Sequence, residues 1–192
     1  MANKVYLFRH GQTTFNRDKK FTGAIDSKLT VLGKKQANVI AGKMKNKKFQ
    51  AAIQTSLSRS IDTLKPVLRN HPECVLIIKD DRMTERNYGN LSGKFHKNII
   101  KEYGKEQFDK WHRGYYKKNR PPKGESFEDV EKRVKPFIAD LKKFIKKNKV
   151  NVAISAHGNS IRLFRKIMEN ASIKETVSWD IPYDKVFEYN IK

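Results

Sequence analysis

The order of apolar runs predicts an α/β fold of three layers (α/β/α), with helices on both faces of a mostly parallel central sheet. Three observations carry it. Apolar runs of strand length alternate with longer amphipathic stretches, the rhythm of strands joined by crossover helices. Polar or glycine-containing turns follow the apolar runs, where ligands bind in open α/β sheets. The 192 residues, 38% of them hydrophobic, suffice for one compact domain with a small insertion.

The elements follow in order. Residues 4–8, "KVYLF", read as a short buried strand. Residues 29–49 place Leu32, Ala37, Ile40, Ala41 and Met44 at helical spacing, with Thr30 as the cap. "QAAIQTS", residues 50–56, is a second strand. Residues 58–70 are a helix with Ser58 as its cap. "VLIIKD", residues 75–80, is a third strand. Residues 130–148 form a long amphipathic helix, 150–156 a fourth strand, and 159–170 a further helix. "KVFEYNI", residues 185–191, alternates with period two and closes the chain as a strand. The segment from about 84 to 122, rich in Gly, Asn, Tyr, Trp and Arg, breaks this rhythm. It is expected to be an insertion of loops and short helices covering the active site within a single domain of residues 1–192.

The lone cysteine, Cys74, excludes an internal disulfide framework and fits a reducing compartment. The first residues hold too short an apolar core for a secretory signal, and no run approaches a membrane span. A cytoplasmic protein is expected. There are 42 Lys and Arg against 20 Asp and Glu, a net charge of +22. The lysines are spread over amphipathic stretches, so they read as solvated surface and not as a nucleic-acid interface. Such a field would still attract an anionic substrate.

The strand ends deliver a coherent set. The first ends at Arg9-His10-Gly11, the second at Thr55-Ser56 with Arg59 just beyond, and the third leads towards Glu85-Arg86. The fourth ends at His157-Gly158-Asn159. Taken singly, each is an ordinary structural residue. Together, two His-Gly steps at strand ends with arginines and a glutamate point to phosphoryl transfer through a covalent intermediate. A neutral imidazole is a competent nucleophile near neutral pH. Nearby cations disfavour its protonated form. Arginine forks match phosphate oxygens, and glycines are read as letting the backbone approach the phosphate. A carboxylic acid must protonate the leaving oxygen, and Glu85 is the candidate. Metal catalysis fits less well: the five histidines form no H-E-x-x-H and one cysteine builds no thiolate cage. Neither a P-loop nor a G-x-S-x-G elbow is present.

The segments "LFRHGQTTFN", "FTGAIDSKLTVLGKKQA", "TSLSRSIDTL", "TERNYGNLSGK", "YGKEQFDKWHRG", "PPKGESFEDVEKRV" and "AHGNSIR" occur in the order found in the histidine phosphatase superfamily. The chain resembles its cofactor-dependent phosphoglycerate mutase branch over roughly residues 5–182. The resemblance implies the phosphoglycerate mutase-like fold. It makes His10 the phosphorylated nucleophile and Glu85 the proton donor and acceptor. Arg9, Arg59 and His157 would line the phosphate pocket. Asn16 and Asn159 would add hydrogen bonds. Thr13, Thr22, Gly23, Arg86, Tyr88, His96, His112 and Arg113 would meet the rest of the substrate. It further implies 2,3-bisphosphoglycerate as phosphoryl primer, no metal, and interconversion of 3- and 2-phosphoglycerate. The short "RPPKGES" connection implies a monomer, with a dimer as the alternative. A phosphomonoesterase acting on a small phosphorylated metabolite is the alternative activity. Three positions depart from the mutase pattern, and at one of them Ala24 replaces a common tryptophan. His112 stands where mutases usually carry arginine, and His96 where they usually carry lysine. The C-terminal end is also shorter than the mutases commonly have. Each departure shifts weight towards hydrolysis.

Overall fold

The computed structural model describes residues 3–191. Strand β1 (Asn3–Arg9) is buried at its centre and leads through a capped single turn, α1 (Thr14–Arg17), to α2 (Val31–Met44). Thr30 caps α2 as expected, its hydroxyl accepting the Gly33 N–H. β2 (Ala51–Gln54) then precedes α3 (Ser58–Leu68). Ser58 is not the cap of α3. Its N–H and its hydroxyl both donate to Asp26 Oδ1, so a carboxylate from a distant loop closes that terminus.

β3 (Leu76–Lys79) is followed by short 3₁₀ turns and a helix pair, α4 (His96–Tyr103) and α5 (Lys105–Arg113). Gly104, at φ +81°, makes the turn between them. Then come α6 (Phe127–Asn148), β4 (Val152–Ala156), α7 (Gly158–Glu169), α8 (Ile173–Ser178) and β5 (Val186–Ile191). The long helix starts earlier than its periodicity suggests, because Ser126 and Asp129 form a capping box. The small helices α1 and α8 have no apolar stripe long enough to be read from sequence.

The strand order is β3-β2-β4-β1-β5; only β5 is antiparallel, pairing with β1. Alternate side chains separate two cores. Val5, Leu7, Ile53, Val152 and Ile154 pack under α6 and α7. Tyr6, Phe8, Ala52 and Ala153 pack under α2 and α3 with Ile40, Met44 and Leu64. A third cluster of Phe21, Tyr88, Leu91, Ile99 and Phe108 holds the α4–α5 pair to the loop after α1. Among the described residues no helix is long and apolar enough to cross a membrane.

Candidate active site

Neighbouring parallel strands bring the two histidines together. β1 and β4 are in register from Val5 opposite Val152 to Arg9 opposite Ala156. The next residue on each is His10 and His157, and the His10 N–H extends the ladder to the Ala156 carbonyl at 3.0 Å. Their ring centroids are 5.0 Å apart. Both are buried, at 2% and 0% exposure.

Hydrogen bonds fix the ring protons. His10 Nδ1 lies 2.7 Å from its neighbour's carbonyl, Gly11 O. A carbonyl only accepts, so Nδ1 carries the proton and Nε2 keeps its lone pair. His157 Nδ1 accepts from Arg59 Nε at 3.2 Å, leaving its Nε2–H for the Thr55 hydroxyl at 2.8 Å. Burial, then Arg59, then Arg9 push the His10 pKa well below that of a free imidazole. Burial and Arg59 do the same for His157. Both rings are neutral at pH 7.

Arg59 is wholly buried and holds the loop beside the site, donating to Gly23 O at 2.8 Å and Ile25 O at 2.9 Å. Three of its five N–H groups are taken by His157, Ile25 and Gly23. Burial lowers its pKa to about 10, so it stays charged. Arg9 is tethered by one bond, to Ile181 O at 2.8 Å, and stacks 4.2 Å from the Tyr183 ring centroid. Its Nε is a buried donor with no acceptor among the described residues, which is expensive unless an anion completes it.

Glu85 Oε1 accepts the backbone N–H groups of Arg86 and Asn159, at 2.8 and 3.1 Å. Oε2 accepts no hydrogen bond from the described residues and is left for proton transfer. Arg133, on α6, holds the backbone that carries this carboxylate: it donates to the carbonyls of Arg82, Thr84 and Glu85 and pairs with Glu125.

A cavity of about 210 Å³ opens beside these groups. Of the residues expected at the substrate, Arg9, Asn16, Thr22, Gly23 and Glu85 line it, as do Tyr88, His96, His112, Arg113 and Asn159. The ring nitrogens of His10 and His157 lie just behind, within 4.8 Å of the Glu85 carboxylate. That trio offers donors a transition metal accepts. The guanidinium groups of Arg9 and Arg59 beside it favour an anion instead.

Three expectations need correction. Arg86 does not face the cavity. It is fully buried and spends its donors on the carbonyls of Glu125, Trp111 and His112, pinning the end of α5. Thr13 is buried as the cap of α1; its N–H and hydroxyl donate to Asn16 Oδ1, which turns the Asn16 amide nitrogen outward. Gly11 clears no room for phosphate: a Cβ there would overlap the Gly33 carbonyl, so it admits the start of α2.

Other lining residues escaped sequence reading. Arg162 is one turn beyond Gly158 on α7, donates to Asn159 Oδ1 and Trp179 O, and is lowered to about 10 mainly by burial. The "AHGNSIR" run contains it, and helical spacing could have placed it on the Gly158 face. Lys20 adds a further cation and Asp180 a carboxylate, paired to Arg113 at 3.1 Å. His96 and His112, by contrast, carry no charge. They stack 5.3 Å apart with Phe21 and Phe108. Burial, then the neighbouring His96 and arginines, pushes His112 down to about 3; burial and Lys19 lower His96.

Among curated relatives, 2,3-bisphosphoglycerate-dependent phosphoglycerate mutases from Cytophaga hutchinsonii and Mesorhizobium japonicum are 32% and 34% identical. The first alignment covers 98% of this chain and 88% of the relative, the second 94% and 88%. Among solved structures, a putative alpha-ribazole-5'-P phosphatase from Escherichia coli superposes with a TM-score of 0.83 at 21% identity, over 97% of this chain and 90% of that one. A mycobacterial glucosyl-3-phosphoglycerate phosphatase gives 0.78 at 22%, over 93% and 84%; at such identities the likeness is one of fold. The family model of the histidine phosphatase superfamily (branch 1) matches residues 5–191, from within the strand that leads to His10 to the end of β5. By that match and by the curated relatives, the chain belongs to the histidine phosphatase superfamily.

Proposed function

We propose that His10 carries a phosphoryl group, and that the enzyme interconverts 3- and 2-phosphoglycerate after priming by 2,3-bisphosphoglycerate. The observation that carries the phosphohistidine step is the His10 tautomer: Nδ1–H is held by Gly11 O, which leaves Nε2 its lone pair, while Arg9 Nε has no acceptor among the described residues. Nε2 attacks phosphorus and the ester P–O bond breaks. Arg9 and Arg59 balance charge on the phosphoryl oxygens, and Glu85 in its acid form gives its proton to the departing oxygen. In the return step an acceptor hydroxyl gives its proton to Glu85, its oxygen bonds to phosphorus and the N–P bond breaks. The names of the curated relatives support phosphoglycerate as the substrate. A monomeric cytoplasmic enzyme goes with this reading.

One observation favours a second reading, a phosphomonoesterase. The wall positions His96 and His112 are neutral, so a doubly anionic substrate meets fewer cations there. Water then competes for the phosphohistidine. The deciding assay supplies 3-phosphoglycerate with and without 2,3-bisphosphoglycerate and follows 2-phosphoglycerate and free phosphate together. Cofactor-stimulated isomerisation with little phosphate release is expected; phosphate release alone selects the esterase. His10→Ala is expected to abolish acid-labile phosphoenzyme, and labelling that survives it overturns both readings.

A further inference from the structure

Three arginines of the catalytic cavity are tied to one short segment, the chain that leaves α8 for β5. Arg113 Nη1 donates to the carbonyls of Val177 and Trp179, at 2.9 and 3.3 Å. Arg162 Nε donates to Trp179 O at 2.8 Å, and Arg9 Nη1 to Ile181 O at 2.8 Å. Asp180 stands between these anchored residues. The backbone at Trp179 is extended, and along extended backbone neighbouring side chains point to opposite sides. Trp179 and Ile181 pack into the core under α6 and α7. Asp180 therefore turns outward, where it lines the cavity with its side chain 88% exposed. Its Oδ1 accepts from Arg113 Nη2 at 3.1 Å and lies 3.8 Å from Arg162 Nη2.

One carboxylate oxygen thus faces two guanidinium groups inside the cavity. Backbone carbonyls already hold both arginines, so they keep their places when the carboxylate swings away. An ion pair this exposed is held weakly and yields to a competing anion at small cost. We propose that Asp180 is an internal counter-ion, standing where the carboxylate of a phosphorylated hydroxy acid would dock, and that it sets the enzyme's discrimination between carboxylated and uncharged phosphate esters. The inference rests on the phosphohistidine step proposed above. With the phosphoryl group against Arg9 and Arg59, and with His96 and His112 uncharged, the lining cations left for a second anionic group are Lys20, Arg113 and Arg162. Asp180 occupies the two arginines. An ester with a carboxylate must displace it and meets its repulsion; an ester with a hydroxyl group there meets neither.

3-Phosphoglycerate and glycerol 3-phosphate differ only in a carboxylate against a hydroxymethyl group. Each, carrying radiolabelled phosphate, is mixed with the full chain, and the second-order rate constant for acid-labile label on the protein is measured. Asp180→Asn keeps the size of the side chain and removes its charge. The ratio of the two constants, 3-phosphoglycerate over glycerol 3-phosphate, should rise about two- to fivefold. The ratio is taken within one protein, so a reduced folded fraction cancels. Asp184→Asn removes the same charge from a carboxylate that pairs with Lys43 at 3.8 Å and does not line the cavity; it should leave the ratio unchanged. An unchanged ratio in Asp180→Asn overturns the inference. So does a fall, which would mean that Asp180 aligns Arg113 for the ligand, and so does an equal rise in Asp184→Asn, which net charge would explain. His10→Ala is the control for the label. Label at His10 with an unmoved ratio sinks this inference alone; no label at His10 sinks the phosphohistidine reading beneath it.

Discussion

Glu85 is the residue whose replacement divides the reaction most cleanly. Its Oε1 is held by two backbone N–H groups, so Glu85→Gln keeps that acceptor and loses only the proton carried on the other side. An alkyl oxygen needs that proton to leave, whereas a 4-nitrophenolate does not. The variant is expected to lose roughly 10²–10⁴ in kcat/KM with 3-phosphoglycerate or an alkyl phosphate and far less in the first turnover of 4-nitrophenyl phosphate. Stopped-flow should show a nitrophenolate burst followed by slow turnover, because the return step still lacks its base. Equal losses with both leaving groups would remove Glu85 from the acid role. At this scale the sequence was legible where a residue's place follows from a strand end, as with His10 and His157. It misled where neighbours in the chain point apart. Arg86 follows Glu85 directly, yet the chain turns its side chain away to the carbonyls of α5. Arg162, one helical turn after Gly158 on α7, was within reach of spacing alone.

At the scale of elements, α6 does more than cover the sheet. It carries Arg133 up to the irregular segment after β3, where backbone carbonyls would otherwise lack partners. Arg133→Met keeps the aliphatic stem and removes the fork. Leaving those carbonyls and Glu125 without the charge should cost about 2–3 kcal/mol of stability, measured by urea unfolding. A purely structural role would stop there. If Arg133 positions Glu85, kcat should also fall, with KM for the phosphomonoester little changed, in the folded variant below its unfolding transition. An unchanged kcat would limit Arg133 to stability. The main strands and long helices were readable from periodicity, since each buries one face or both. The start of α3 was not: its terminus is closed by Asp26 from another loop, a contact that no local pattern encodes. The same holds for Gly11, whose cause is the approach of α2 and not the ligand.

For the whole molecule, a basic composition and a set of buried neutral histidines act on stability in the same direction. The folded pKa values of His10, His96, His112 and His157 all lie below the free imidazole value, chiefly through burial. Below about pH 6.5 the unfolded chain therefore binds more protons than the folded one. Their neutral burial contributes stability that is fully present above that pH and lost as pH falls through the window below it. For His112 the window extends down to about 3. Each such histidine adds a slope of about 1.4 kcal/mol per pH unit. The net charge of +22 adds self-repulsion, which salt screens. Histidine protonation is coupled to burial and is screened much less. Unfolding free energies measured between pH 7.5 and 5.5 in 0.5 M salt should still fall with acid, in a range where most carboxylates remain ionised. His112→Phe, which fits the stack of Phe21, His96 and Phe108, should flatten that slope by about one histidine's share. A profile that salt makes level, or a slope that His112→Phe leaves unchanged, would assign the acid sensitivity to surface charge alone.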